Sequence, residues 1–74
     1  MVTFQEASTS FADVASITIL DAEHSDTEDR YVLLGMSATG RLLVVSHTER
    51  GASIRLISAR PANRREAAKY PQSQ

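Results

Sequence analysis

The chain has 74 residues, no cysteine and a formal net charge of −1. A chain of this length forms one small domain that buries only about 60% of its unfolded surface. Without cysteine it has no disulfide or thiolate metal site to reinforce that core. No apolar run approaches the ~20 residues of a membrane span, so a cytoplasmic, non-membrane protein is expected. Charge is unevenly spread. Residues 1–29 hold Glu6, Asp13, Asp21, Glu23, Asp26, Glu28 and Asp29 and no Lys or Arg, whereas all eight basic side chains lie from Arg30 onward, against Glu49 and Glu66. The split points either to a basic surface for an anionic partner or to a solvated sheet end and helix.

Thr3-Phe4-Gln5-Glu6 has the form of a capping box, which predicts a helix of about two turns starting at Phe4 and ending near Asp13. Phe4, Ala7, Ser8 and Phe11 form its inward stripe. A strand is predicted over 15–20, with Ile17 and Ile19 on one face, and an acidic loop over 21–29. A meander of three strands follows: 31–36, 42–45 and 53–59. The turns between them are Ser37-Ala38-Thr39-Gly40 and Thr48-Glu49-Arg50-Gly51. Pro61 suits the first position of a helix over 62–70, and Pro71 stops it. Residues 71–74 are expected to be a disordered tail. The fold class is α+β: a short N-terminal helix, a four-stranded antiparallel meander and a C-terminal helix, all in one domain.

If both meander turns are four residues long, residue 36 pairs with 41, 45 with 32 and 54, and 43 with 34 and 56. One face then carries Val32, Leu34, Met36, Leu43, Val45, Ile54 and Leu56 as the core. The other carries Tyr31, Leu33, Gly35, Leu42, Val44, Ser46, Ser53, Arg55 and Ile57. An arginine in the middle of a strand is costly to bury unpaired, so Arg55 is expected to face solvent, a carboxylate or an anionic ligand.

Asp21, His24, Asp26 and Glu28 are close in sequence, but their spacing matches no established zinc or calcium loop, and neither metal nor cofactor is expected. His47 with Glu49 suits acid–base chemistry, or simply a hydrogen-bonded surface histidine. Ser46 and Ser53 fall opposite each other without the setting of a nucleophile. Arg41, Arg50, Arg55 and Arg60 are the stronger signal, since guanidinium forks bind phosphate through paired hydrogen bonds. Tyr31 and Tyr70 are candidates to stack on bases. The bland alternative is a salt-bridge network, Arg30 with Glu28 or Arg55 with an acidic loop residue.

Four blocks, VTFQEA…FAD, HSDTEDR, LLGMSATGRLLVVSHTER and IRLISARPANRREAAKY, together resemble the BrnT family, collinearly from Val2 to Tyr70. That family comprises bacterial toxins of type II toxin–antitoxin pairs. The resemblance implies a RelE-like ribonuclease fold, an RNA substrate and inhibition of translation. It also implies a ribbon-helix-helix (BrnA-like) antitoxin over the active face. It places functional roles on Glu28, Arg30, Arg50, Arg55 and Arg60. On this basis metal-independent phosphodiester cleavage is expected. Arg55 and Arg60 would hold the scissile phosphate, Glu28 or His47 would act as base, and Arg30, Arg41, Arg50 and Tyr70 would contact RNA. Family members usually begin with an additional strand and helix carrying a Lys-His-Gly turn, and Met1 stands where that turn would end. The chain is therefore expected to be short at its N-terminus and to expose a sheet edge that invites homodimers. The alternatives are a non-catalytic remnant that binds only an antitoxin or itself, and a generic phosphate-binding module.

Overall fold

A computed structural model describes residues 1–24 and 28–71. Its elements are α1 (Phe4–Thr9), a 3₁₀ turn (Ser10–Ala12), β1 (Ile17–Leu20), a second 3₁₀ turn (Ala22–His24), β2 (Arg30–Met36), β3 (Leu42–Arg50), β4 (Ser53–Pro61) and α2 (Arg64–Ala67). The strands pair antiparallel in the order β1-β2-β3-β4, which is the expected meander between two helices. The expected tail at residues 72–74 lies outside the described residues.

Helix α1 starts as its capping box dictates, with Thr3 Oγ1 accepting from the Glu6 amide at 3.0 Å. After six residues it tightens into the 3₁₀ turn that ends at Asp13. This break rotates the predicted stripe. Ala7 is fully buried and Phe11 partly so, whereas Phe4 is 57% exposed and Ser8 faces solvent. Ala7 packs on Leu33, Leu43 and Val45, flanked by Val2, Phe11, Leu56 and Ala59. This is the core face of the sheet.

The strand pairing differs from the expected register at both turns. Met36 pairs with Leu42, not with residue 41. The Ser37 amide donates to the Arg41 carbonyl at 2.8 Å, which leaves a three-residue loop, and Gly40 in that loop has φ of 86°. Such loops close with a left-handed glycine. The one-residue slip inverts the predicted faces between β2 and β3. Leu33, Leu43 and Val45 belong to the core, and Val32, Leu34 and Val44 lie on the opposite face.

The second turn is also shorter than expected. Thr48, Glu49 and Arg50 belong to β3, and Arg50 pairs directly with Ser53 across Gly51-Ala52. Gly51 has φ of 57° in the first loop position, where a two-residue hairpin favours glycine. Farther on, Ser46 pairs with Ser58 but His47 pairs with Leu56, so Ile57 is an extra residue in a β-bulge. Pro61 ends β4 rather than opening a helix. Asn63 caps α2 through a complete capping box with Glu66, and the predicted helix over 62–70 shrinks to four residues.

Gly35 lies where the first 3₁₀ turn crosses β2. A β-carbon there would sit 2.9 Å from the Ser10 carbonyl oxygen and 3.2 Å from Ser16 Cβ. The carbonyl is backbone and cannot move aside alone. Gly35→Ala is expected to destabilise the chain by about 1–3 kcal/mol, the usual cost of overpacking. Urea denaturation checks this; an unchanged midpoint would place the 3₁₀ turn farther from the strand than described.

Candidate active site

The bulge at Ile57 decides where the arginines go. Arg55 and Arg60 are five positions apart, so in a regular strand they would project to opposite sides. With the extra residue between them, Arg60 pairs with Val44 and Arg55 with Thr48, and both rows belong to the face opposite the core. Thr48 also pairs with Arg30. The open face thus carries the rows Arg30–Thr48–Arg55, Val32–Ser46–Ser58 and Leu34–Val44–Arg60. Arg55 does not lie beside Val44 and Leu33, as the four-residue turns would have it.

Glu28, just before β2, accepts from Arg50 Nε at 2.8 Å and Arg55 Nη2 at 2.9 Å, and Arg50 Nη2 bonds the same carboxylate. Arg50 and Arg55 are 70% and 67% exposed at the side chain, so the ion pair is open to solvent. The hydrogen bond from Arg50, with the nearby charges of Arg50, Arg55 and Arg30, holds the Glu28 carboxyl below the usual carboxylate range. Arg60 donates a two-pronged fork to Glu66, at 2.7 and 2.6 Å. That fork, with the Asn63 amide, lowers Glu66 to about 2. Between the two ion pairs the sheet is hollow. A cavity of about 370 Å³ is lined by Val32, Val44, Ser46, Ser58, Arg60 and Glu66, with Ile19, Leu20, Asp21 and Glu23 toward β1. A smaller hollow over Ile17, Val32, Leu34 and Val44 continues it under Lys69.

A family model described as ribonuclease toxin, BrnT, of type II toxin–antitoxin system matches residues 1–66. The chain belongs to the BrnT family. Comparison with curated proteins and with solved structures gave no match. Membership implies a ribonuclease toxin that is paired with an antitoxin. No helix among the described residues is long and apolar enough to cross a membrane.

Set beside this family assignment, the structure brings four of the sequence-derived candidates, Glu28, Arg30, Arg50 and Arg55, to one end of the open face, with Arg60 farther along it. It places the other three elsewhere. His47 is fully buried on the core face, edge-on to Phe11 at 4.9 Å and stacked on Tyr31 at 5.8 Å. Its Nε2 lies 3.1 Å from a Glu49 carboxylate oxygen. It is hydrogen-bonded as the simpler reading had it, but inside the core rather than on the surface. Tyr31 is therefore turned away from Arg55. Tyr70 donates its hydroxyl to Asp13, whose other partners are the Met36 and Ala15 amides at 2.8 and 3.0 Å. Asp13 falls below its ordinary pKa through the Tyr70 and amide hydrogen bonds, and Tyr70 rises above its own. That bond ties the C-terminal segment to the first 3₁₀ turn.

Arg41 is held by Glu6, with Nε at 2.8 Å and Nη2 on the second oxygen. The side chain of His24, with Asp26, lies outside the described residues, and Glu28 is committed to arginines, so the acidic-loop grouping has no described geometry. Three polar residues of the open face escaped the sequence reading in these roles: Ser58, Glu66 and Thr48. The Thr48 hydroxyl is buried between Arg30 and Arg55 and finds no hydrogen-bond partner among the described residues. The correct register reveals Thr48 and Ser58, while Glu66 reaches the face from α2 through its fork with Arg60.

Hydrogen bonds from Arg41, Thr39 and Ser37 pull the Glu6 carboxyl down from 4.5 to about 2. A carboxylate with a depressed folded-state pKa stabilises fully above its unfolded value and loses that contribution as pH falls through the folded one. Glu6→Gln is therefore expected to lower Tm at pH 7 and to converge with the parent chain between pH 4.5 and about 2. Thermal melts across that range check this; parallel curves would contradict it.

Proposed function

We propose that the chain is a metal-independent endoribonuclease whose active face is the open side of the sheet. The observation that carries this reading is the convergence of the solvent-open Arg55 and Arg50 on one carboxylate, with Arg60 on the same face. Guanidinia supply fixed positive charge where the phosphorane develops, which is the role a metal would otherwise fill. In the proposed step the RNA 2′-oxygen attacks the adjacent phosphorus and its proton passes to the Glu28 carboxylate. The bond to the 5′-oxygen breaks, and that oxygen takes a proton from solvent. The products are a 2′,3′-cyclic phosphate and a 5′-hydroxyl.

The electrostatics of Glu28 support its role as base. Its arginine partners keep it ionised in the free protein. When Arg50 and Arg55 turn to an incoming phosphate, the carboxylate regains basicity at the moment it is needed. Arg30 and Arg50 then hold flanking phosphates. His47, buried on the other face, is not needed for this step. In this reading the whole chain acts as one toxin domain. Cleavage in the cytoplasm inhibits translation, and a ribbon-helix-helix antitoxin silences it by covering the open face.

One observation favours the competing reading, in which the chain binds an antitoxin without cleaving RNA: Arg50, Arg55 and Arg60 already have internal carboxylate partners. The two are separated by incubating single-stranded RNA with purified chain freed of antitoxin. The nuclease reading expects cleavage, and expects Arg55→Ala to lose about 100-fold or more of it. The circular dichroism of the variant should be unchanged, because exposed ion pairs contribute little to stability. Intact RNA with the wild-type chain selects the non-catalytic reading. Parallel loss of fold and activity in Arg55→Ala makes that residue structural.

A further inference from the structure

The two edges of the sheet are guarded very differently. Strand β4 carries Arg55, Arg60, the bulge at Ile57 and a terminal Pro61, all devices that block edge pairing. Strand β1 reads Ile17-Thr18-Ile19-Leu20, with no charge, proline or bulge, and among the described residues its brevity is its only protection. Ile19 and Leu20 are 59% and 52% exposed, and Val14 just before them is fully exposed.

The hydrogen bonding of β1 fixes which groups point outward. The Asp21 amide donates to the Arg30 carbonyl at 2.7 Å, so Asp21, Ile19 and Ile17 direct their backbone groups toward β2. By alternation Thr18 and Leu20 direct theirs outward. Two copies of this edge are self-complementary. Run antiparallel about a two-fold axis through Ile19, Thr18 of one copy faces Leu20 of the other, and both pairs exchange backbone hydrogen bonds. Ile19 then meets its own copy in a non-hydrogen-bonded pair, with α-carbons about 4.5 Å apart.

Charge favours the same arrangement. Asp21 and Glu23 follow the C-terminal end of β1, while Lys69 stands over Ile17 at the other end. Antiparallel pairing sets Ile17 of one copy opposite Asp21 of the next, which brings Lys69 toward a carboxylate. We infer that β1 is a homodimer interface, pairing with a second copy to form one continuous sheet of both chains. An axis perpendicular to the sheet keeps both open faces on the same side, so the hollows over Ile17 and Ile19 join across the seam. This inference does not depend on the nuclease reading.

The test uses purified chain freed of antitoxin. Light scattering and sedimentation are expected to give twice the chain mass. Ile19→Lys, an exposed substitution that places two ammonium groups face to face on the axis, is expected to weaken association by about tenfold or more. Its far-UV circular dichroism should match that of the parent chain. Because the chain has no cysteine, Ile19→Cys is expected to form a disulfide-linked dimer on mild oxidation, whereas Leu20→Cys, facing Thr18, should not. A monomer at every concentration overturns the inference, as does a dimer that survives Ile19→Lys. Cross-linking at Leu20→Cys in place of Ile19→Cys overturns the register.

Discussion

One carboxylate, Glu6, holds together the turn on which the sheet register depends. It leaves the first turn of α1 and gathers Arg41, Thr39 and the Ser37 hydroxyl, which bonds it at 2.9 Å. Those three side chains bracket the loop that sets which residue of β3 faces which residue of β2. A second contact reinforces the docking, with Thr9 Oγ1 accepting from the Ala38 amide at 2.8 Å. In a strand the side-chain period is two, so a slip of one residue would exchange the two faces. Fixing Ser37 against Arg41 turns Leu33, Leu43 and Val45 toward α1 and commits Val32, Leu34 and Val44 to the other side.

The bulge then builds the site on that other side. Without it, Arg55 and Arg60 would straddle the sheet, and a guanidinium directed into the core would meet Ala7 and Phe11. With it, both emerge on the open face and Leu56 and Ala59 both serve the core. His47 stays apart from the arginines because the Gly51-Ala52 hairpin pairs it with Leu56, not with Arg55. One inserted residue thus sorts the core side chains of β4 from its two arginines. Glu28 and Glu66 complete the sorting as internal counter-anions, which keep a cluster of arginines compatible with a small core.

Much of this was legible in the chain beforehand. The capping box at Thr3 and Glu6, the four strands and the α+β meander all follow from local pattern, and the resemblance to BrnT is borne out over residues 1–66. What was not legible is instructive. Leu42, Leu43, Val44 and Val45 are apolar on both parities, so composition cannot say which pair turns inward. Thr48, Glu49 and Arg50 look like a polar turn, but Gly51-Ala52 suffices to close the hairpin. The bulge has no signature in Leu56-Ile57-Ser58. The pairing of Arg55 with an acidic loop residue was foreseen only as the bland alternative. It turns out to be the feature that joins Glu28 to the arginine row.

The central claim is that Arg50, Arg55 and Arg60 present one anion-binding surface, separate from the locked Arg41 and the buried His47. Nuclear magnetic resonance of the arginine Nε–H groups tests it most directly, with a single-stranded 2′-O-methyl RNA that binds but lacks the attacking hydroxyl. The account predicts that the Arg50, Arg55 and Arg60 signals shift together on titration, while Arg41 and the His47 ring stay still. Shifts confined to Arg41 and His47, or Arg55 and Arg60 responding at unrelated concentrations, would contradict it.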